Sequence, residues 1–170
     1  MSVLLRAALG LMLISLAAPE ASAQSYQSLR RGGNFGLGVG AGTYGGGLSA
    51  KYWLSDIAAV QGTIAGGGYI SDGEGNLRLT VNADYLFEQP PLFEAEGLEI
   101  AWNIGPGAGL QIESENGIGI GLSGVAGLEF ALTVIPVELV FEYRPYMQFG
   151  DEYFRLEFIS FGGQLRYFFG

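Results

Sequence analysis

The sequence predicts an all-β fold, an eight-stranded antiparallel up-and-down transmembrane β-barrel. Eight segments alternate apolar residues with polar or small ones at a period of two, which is the geometry of an extended strand. Glycine accounts for 29 of the 170 residues, and only 15% of the residues are charged, against about a quarter in soluble domains. Because so few charges would hardly cover a water-facing surface, the strands are predicted to face lipid.

The first 23 residues have the features of a secretory signal peptide. Arg6 supplies the positive charge, and the apolar core from Ala7 to Ala18 is too short to span a bilayer. Ala21-Ser22-Ala23 is a small-residue cleavage site, so the mature chain is expected to begin at Gln24. An uncleaved helical anchor is the alternative.

Residues 24–33 are polar and lack periodicity, and we interpret them as a periplasmic leader before a barrel at 34–170. The first two strands are predicted at 34–41 and 47–54, joined by a glycine-rich turn. The third, at 57–66, alternates least clearly, whereas the fourth, at 77–87, alternates throughout. Between them, 67–76 is predicted to be a loop.

Residues 88–97 contain Pro90-Pro91 and are predicted to connect the fourth strand to the fifth, at 98–112. Pro106 lies inside that strand and predicts a local irregularity. The sixth strand, at 118–130, lies in a segment that could also pass for a transmembrane helix. Its glycine content and its period of two favour a strand.

The seventh strand is predicted at 137–149 and the eighth at 154–169. In the eighth, the phase of the alternation slips near Ile159 and Ser160, as one inserted residue, a β-bulge, would make it do. Pairing Phe149 with Phe154 through the intervening turn places this bulge beside Pro145, which has no N–H to donate.

Bulky residues share one face of the strands, while the other face is rich in glycine and serine. An eight-stranded barrel has a narrow interior, so the bulky face is predicted to point outward, to lipid. Aromatic residues end the even-numbered strands, as in an interfacial girdle: Tyr52, Tyr85, Phe87, Phe130, Tyr167 and Phe169. A soluble barrel with an apolar interior is the alternative.

The polar face then becomes a lumen, where charges have to be paired. Beyond the bulge, the register sets Glu138 opposite Arg166, which predicts an ion pair. Arg144 is expected to be shared between Glu142 and Glu157. Lys51, on the same face as Ser49, is interpreted as a wall lysine that neutralises lumenal acids rather than as half of a nucleophilic Ser–Lys pair.

The composition excludes several kinds of chemistry. The chain has no cysteine and no histidine, so disulfides, thiolate metal sites and histidine bases are absent. A net charge of −9 without a basic run argues against nucleic-acid binding. The glycine-rich segment 40–45 matches G-x-G-x-x-G, but a strand follows it where a helix is needed. We therefore expect no catalytic residue, cofactor or metal site.

The loops assigned to the outer side are acidic. Solvated charge is the simpler interpretation, and bridging through Ca²⁺ or Mg²⁺ to anionic lipopolysaccharide is the functional one. The residues concerned are Asp72, Glu74, Glu113, Glu115, Asp151 and Glu152.

The C-terminus resembles the β-signal by which bacterial outer-membrane barrels are recognised for assembly, on Ser160, Gly162, Leu165, Tyr167 and Phe169, although Gly170 follows the aromatic residue. Across its mature length the chain is similar to the small eight-stranded outer-membrane barrels typified by OmpA, OmpX and OmpW. The resemblance implies insertion by the barrel-assembly machinery, an environment of outer-membrane lipid and lipopolysaccharide, and no catalysis.

A monomeric structural or surface-interaction barrel with a largely plugged lumen is therefore expected. A narrow channel for ions or small hydrophobic solutes is the second possibility. A secreted soluble barrel that binds an apolar ligand is the third.

Overall fold

The structure is a computed structural model that describes residues 29–30, 33–71, 74–114, 117–132, 134–150 and 154–169. The predicted signal peptide and most of the predicted leader lie outside these residues. In the described part of the chain, no helix is long and apolar enough to cross a membrane. The strands are β1 (Phe35–Gly42), β2 (Gly45–Ser55), β3 (Ala58–Ser71), β4 (Glu74–Glu88), β5 (Phe93–Ala95), β6 (Leu98–Glu113), β7 (Gly117–Leu132), β8 (Val137–Tyr143), β9 (Tyr146–Gly150), β10 (Phe154–Glu157) and β11 (Phe161–Phe169).

These strands form one closed antiparallel barrel. β1, β2, β3, β4, β6 and β7 follow one another around the wall, β8 and β9 together form the seventh position, and β10 and β11 together form the eighth. The ring closes where β11 pairs with β1, from Phe35 opposite Phe169 to Gly42 opposite Gly162. The predicted eight-stranded antiparallel barrel is confirmed.

The barrel has two rims. The terminal rim is the end at which β1 begins and β11 ends, and it carries the turns β2–β3 and β7–β8. The hairpin rim is the opposite end, where the β1–β2 turn lies. The short strand β5 pairs only with the start of β6 and extends the wall at the terminal rim.

Two predicted connections contain more strand than expected. β3 and β4 pair as far as Ser71 opposite Glu74, so most of the predicted loop 67–76 is a hairpin. Backbone hydrogen bonds continue there although the sequence no longer alternates, because pairing does not require an apolar face. In the predicted connection 88–97, β5 folds back on β6 through Gly97, whose φ of 81° is one that glycine tolerates.

The seventh and eighth barrel positions are both interrupted near Pro145. Phe149 pairs with Phe154, whereas Tyr143 pairs with Phe161, so the eighth position holds one extra residue between these pairs. The Arg144 N–H bridges the break by donating to the Ser160 carbonyl at 2.9 Å. The predicted bulge, and its position beside the proline, are confirmed.

Pro106 produces the irregularity expected of it. The ladder between β4 and β6 pairs Asp84 with Gly107 and Phe87 with Ile104, but the positions between these pairs are not matched. On its other side, Pro106 stays in register opposite Gly124 of β7. One missing N–H therefore interrupts a single ladder and leaves the wall continuous.

The distribution of side chains is the reverse of that in a soluble protein. Leu48 and Leu165 on the outside are 60% and 49% exposed, whereas Lys51 and Arg166 on the inside are each 1% exposed. Tyr167 and Phe169 form an aromatic pair on the outer surface near the terminal rim, with ring centroids 5.0 Å apart. The predicted outward direction of the bulky face is confirmed.

Candidate functional site

The polar side chains of every barrel position converge on the interior, which we call the lumen. Ten charged residues are buried there, and six of them are acidic. The carboxylates are Asp84, Glu88, Glu99, Glu129, Glu138 and Glu142, and the cations are Arg30, Lys51, Arg144 and Arg166. Because buried charges are costly unless paired, the contacts among these ten residues decide what the lumen can do.

Lys51 lies at the centre of the first group, which we call the lysine cluster. Its Nζ is 2.9 Å from Glu88 Oε1 and 3.3 Å from Glu138 Oε1, and it also contacts Glu129. On its other side the ammonium lies 4.2 Å from the centroid of the Trp53 ring, a favourable cation–π distance. The interpretation of Lys51 as a wall lysine that neutralises lumenal acids is confirmed by these contacts.

Arg166 joins the lysine cluster to polar side chains of β2, β3 and β11. Its Nη1 is 3.3 Å from Glu138 Oε1, and its Nε donates to Ser49 Oγ at 2.8 Å. Its Nη2 donates to the side-chain oxygens of Gln61 and Gln164. A single guanidinium thus ties together side chains of β2, β3, β8 and β11.

Arg144 is the centre of a second group, the arginine cluster. Its Nη1 and Nη2 donate to the two oxygens of Asp84 at 2.7 and 2.6 Å, a bidentate pair, and its Nε donates to Glu142 at 2.8 Å. Gln61 Nε2 donates to both carboxylates, at 3.1 Å to Asp84 and 2.8 Å to Glu142. Since Gln61 also contacts Arg166, the two clusters form one network.

Four residues of the predicted ion-pair cluster lie together, namely Glu138 with Arg166 and Glu142 with Arg144. The structure corrects the predicted place of the fifth, Glu157, whose carboxylate accepts a hydrogen bond from the Tyr146 hydroxyl at 2.8 Å. Asp84 takes its place beside Arg144. Glu157 belongs to β10, which the bulge separates from β11. Asp84 belongs to β4 and reaches Arg144 from across the lumen, so the register of the last hairpin does not predict this contact.

Sequence reasoning missed several members of the network. Asp84, Glu99 and Glu129 all occur on the polar phase of their strands, so their inward direction could have been read from the alternation. Their partners could not, because Lys51 and Glu129 are 78 residues apart and lie on non-adjacent strands. Arg30 could not be predicted at all, since it precedes the first strand.

The residues of the predicted assembly signal lie on both faces of the last barrel position. Leu165, Tyr167 and Phe169 are exposed on the outer surface, and Ser160 is fully buried beside the bulge. Gly162 lies under the Tyr44 side chain, which occupies the space that a β-carbon there would fill. Recognition of this segment by assembly machinery stays a prediction.

Of the acidic loop residues predicted to lie outside, Asp72, Glu115, Asp151 and Glu152 fall outside the described residues. Glu113 is described, and its Oε1 lies 3.0 Å from Arg78 Nε. Among the residues that the structure describes, no group of three acidic side chains has a geometry that could hold a metal ion. Cation bridging stays a prediction.

A cavity of about 40 Å³ lies between the arginine cluster and the hairpin rim. Its lining includes Tyr44, Thr80, Asn82, Gln111, Tyr146 and Gln148. Burial, and then the nearby Glu142 carboxylate, raise the pKa of the Tyr44 hydroxyl to about 12, so this group stays neutral. Since one water needs roughly 10–15 Å³, the cavity has room for a few water molecules.

Chemically, the charged groups of this interior share ion pairs. The Lys51 ammonium faces three carboxylates, and the Arg144 guanidinium is held by two. A nucleophile or a base needs a partly free group that a substrate can reach, and these groups are engaged with one another. The network joins side chains of β2, β4, β7, β8 and β11 across the lumen.

No protein-family model matches the chain, and no curated protein matches it in sequence. Four chains of solved structures do match. One of them is the crystal structure of Ail, the attachment invasion locus protein of Yersinia pestis, with 16% sequence identity and a TM-score of 0.37. The alignment covers 81% of this chain and 99% of Ail. The barrel fold of the present chain rests on its own strand pairings, which close the sheet.

Proposed function

We propose that this chain is an integral outer-membrane β-barrel protein with a structural or surface-interaction role and a lumen that does not conduct. The observation that carries the proposal is the buried network of ion pairs that crosses the lumen between β2, β4, β7, β8 and β11. Ions entering this space would have to displace ion pairs that the lumenal charges already make with one another, which is costly in a low-dielectric interior.

The membrane environment is supported by the outer surface. Large apolar side chains are exposed on every barrel position, for example Val39, Ile64, Ile120 and Phe141 at 57%, 52%, 59% and 56%. A continuous apolar belt of this kind would aggregate in water and is stable in hydrocarbon. The closed sheet also leaves the belt with paired backbone groups, as a bilayer requires.

The outer membrane is favoured over other membranes by the predicted signal peptide and by the likeness of Ser160–Phe169 to the assembly signal. In this arrangement the terminal rim faces the periplasm, and the hairpin rim faces outward, towards lipopolysaccharide. The partners of the chain would be the surrounding lipid and, during biogenesis, the barrel-assembly machinery. We expect a monomer, because closure of the sheet needs no second chain.

A narrow channel is the second candidate, and the cavity between the arginine cluster and the hairpin rim favours it. Planar-bilayer recordings of the purified protein separate the two. We expect no steady unitary current, because the network obstructs the path. Steady single-channel currents would support the channel function instead of the non-conducting one, provided that the number of channels observed rises with protein concentration.

Membrane fractionation followed by gel electrophoresis with and without boiling tests the location. A folded outer-membrane barrel should remain in the pellet after carbonate or salt washing, and it should migrate differently before and after heating. Release into the wash without detergent would favour a soluble barrel instead.

A further inference from the structure

Leu29 and Arg30, which precede β1, lie inside the barrel. The Leu29 side chain is 7% exposed and packs in an apolar cluster that the wall presents inward near the terminal rim. The other members are Trp53, Ala59, Leu86, Val125, Ala131 and Phe168. Leu29 is therefore buried by the lumen wall, although it belongs to no strand.

Arg30 contacts the lysine cluster from the side of the terminal rim. Its Nη2 lies 3.3 Å from Glu88 Oε2 and its Nε lies 3.4 Å from Glu99 Oε1. Its guanidinium carbon is 5.3 Å from the centroid of the Trp53 ring, whose other neighbour is Lys51. Trp53 is thus in contact with a cation from the wall and a cation from the preceding segment.

In this half of the lumen, the buried carboxylates of the wall outnumber its buried cations. Among the residues that the structure describes, the wall supplies four buried carboxylates in this half of the lumen, Glu88, Glu99, Glu129 and Glu138, and two buried cations, Lys51 and Arg166. Arg30 is the third cation, and it comes from outside the barrel wall. Its guanidinium reduces the excess of negative charge that is buried at low dielectric.

Hydrogen bonds to the start of the wall hold Leu29 in this place. The Asn34 Nδ2 donates to the Leu29 carbonyl at 3.0 Å, which holds the segment against the start of β1. Gly33 N–H donates to the Trp53 carbonyl at 2.8 Å, and Trp53 N–H donates to the Asn34 carbonyl at 3.0 Å. Gly33 has a φ of 94°, which lets the chain turn from the lumen into the wall.

We propose that Leu29 and Arg30 form a plug at the terminal rim, with Leu29 docked in the apolar cluster and Arg30 docked between Glu88 and Glu99. This plug rests on the proposed function, because these two residues would close one rim of a barrel that does not conduct. When the plug is docked, it covers the apolar cluster and the carboxylates of Glu88 and Glu99; undocking would expose both.

Because the chain has no cysteine, single-cysteine variants report directly on access to the plug. Leu29→Cys is compared with Asp56→Cys, an exposed position in the β2–β3 turn at the same rim. Both are folded in detergent micelles, verified by heat-modifiable migration, and treated with a cationic methanethiosulfonate reagent. An acidic lumen attracts this reagent, so slow labelling could not result from charge repulsion.

We expect Leu29→Cys to react at least tenfold more slowly than Asp56→Cys, and to approach the Asp56→Cys rate when Arg30→Gln is added. Equal rates for the two single variants would overturn the plug. Arg155→Gln is the matched control for Arg30→Gln, because Arg155 is exposed on β10, and it should leave the labelling of Leu29→Cys unchanged.

Bilayer recordings of the wild type separate a failure of the plug from a failure of the proposed function. Fast labelling of Leu29→Cys with a silent wild type would refute only the plug. Steady currents in the wild type with slow labelling of Leu29→Cys would refute only the non-conducting lumen of the proposed function.

Discussion

At the residue scale, the stability of the lumen depends on single cations that serve several acids. Lys51 contacts Glu88, Glu129 and Glu138, so removal of one ammonium leaves three carboxylates without their shared partner. Breaking a buried pair costs more than the pair contributes, because an uncompensated charge remains in a low-dielectric space. The lysine cluster is therefore the part of the interior that is most sensitive to substitution.

Lys51→Met tests this dependence, because methionine keeps much of the side-chain volume and loses the charge. We expect the free energy of unfolding to fall by about 3–5 kcal/mol, the usual cost of breaking a buried ion pair. Urea titration in detergent micelles, followed by the fluorescence of Trp53 and Trp102, measures the change.

Adding Glu129→Gln to Lys51→Met should recover part of the lost stability, since it removes one of the stranded carboxylates. Arg155→Met, on an exposed arginine, is the control and should leave the unfolding midpoint where it is. A Lys51→Met midpoint equal to that of the control would show that the ammonium is not needed.

Small residues on the inner face also set how closely the strands approach. A β-carbon at Gly38 would overlap the Leu165 carbonyl and lie 2.7 Å from Arg166 Cα, both in the backbone of β11. We expect Gly38→Ala to destabilise the barrel by about 1–3 kcal/mol, the usual range for overpacking. Gly124→Ala, where an added methyl meets no atom within 4 Å, is the control. The same urea titration compares them, and equal midpoints would contradict the prediction.

At the scale of the strands, two faces with opposite requirements alternate along each segment. The outer face needs only to be apolar, whereas the inner face has to present charges to partners on other strands. The bulge beside Pro145 lets the seventh and eighth positions meet both requirements. It shifts the alternation by one residue, so that Leu165 faces outward and Arg166 meets Glu138.

Leu165→Arg tests the lipid-facing assignment of β11. The Leu165 side chain is 49% exposed on the outer surface, and arginine near the middle of a bilayer costs roughly 2–4 kcal/mol. We expect a loss of stability of that size in phospholipid vesicles, measured by urea titration of tryptophan fluorescence.

Ile57→Arg is the matched control for Leu165→Arg. Ile57 is also aliphatic, but it lies in the β2–β3 turn with 72% of its surface exposed. Because arginine is tolerated at the interface, this variant should unfold close to the wild type. If both variants unfold like the wild type, β11 does not face hydrocarbon.

At the scale of the whole molecule, the chain encloses its polar groups and exposes its apolar ones. This inverted distribution is stable only where the surroundings are less polar than the interior. Closure of the sheet by β1 and β11 also removes the free edges that would otherwise expose unpaired backbone groups.

Refolding should therefore depend on an amphiphile. Urea-unfolded protein diluted into detergent micelles or short-chain lipid vesicles is expected to give the compact form that migrates differently before and after boiling. Dilution into buffer alone should give aggregate, detected by light scattering. Recovery of a soluble, folded monomer in buffer would mean that water, not hydrocarbon, surrounds the outer face.

The sequence alone determined the class of the fold, the number of barrel positions and the direction of their faces, because a period of two is a local property of each strand. It also located the bulge beside Pro145, since one hairpin register relates the last two strands. The hairpin that replaces the predicted loop at 67–76 was missed, because backbone pairing can continue where the alternation stops.

Only the tertiary structure decided which charges meet across the lumen, beyond the pairs that the last hairpin predicts. Lys51 and Glu129 approach because the sheet curves into a narrow cylinder, and curvature is a property of all eight positions together. The same holds for Asp84, which reaches Arg144 from across the lumen, and for Arg30, which reaches Glu88 from outside the wall. Local alternation decides whether a side chain points inward, and hairpin register decides its contacts on the neighbouring strand, but closure of the barrel decides its contacts on distant strands.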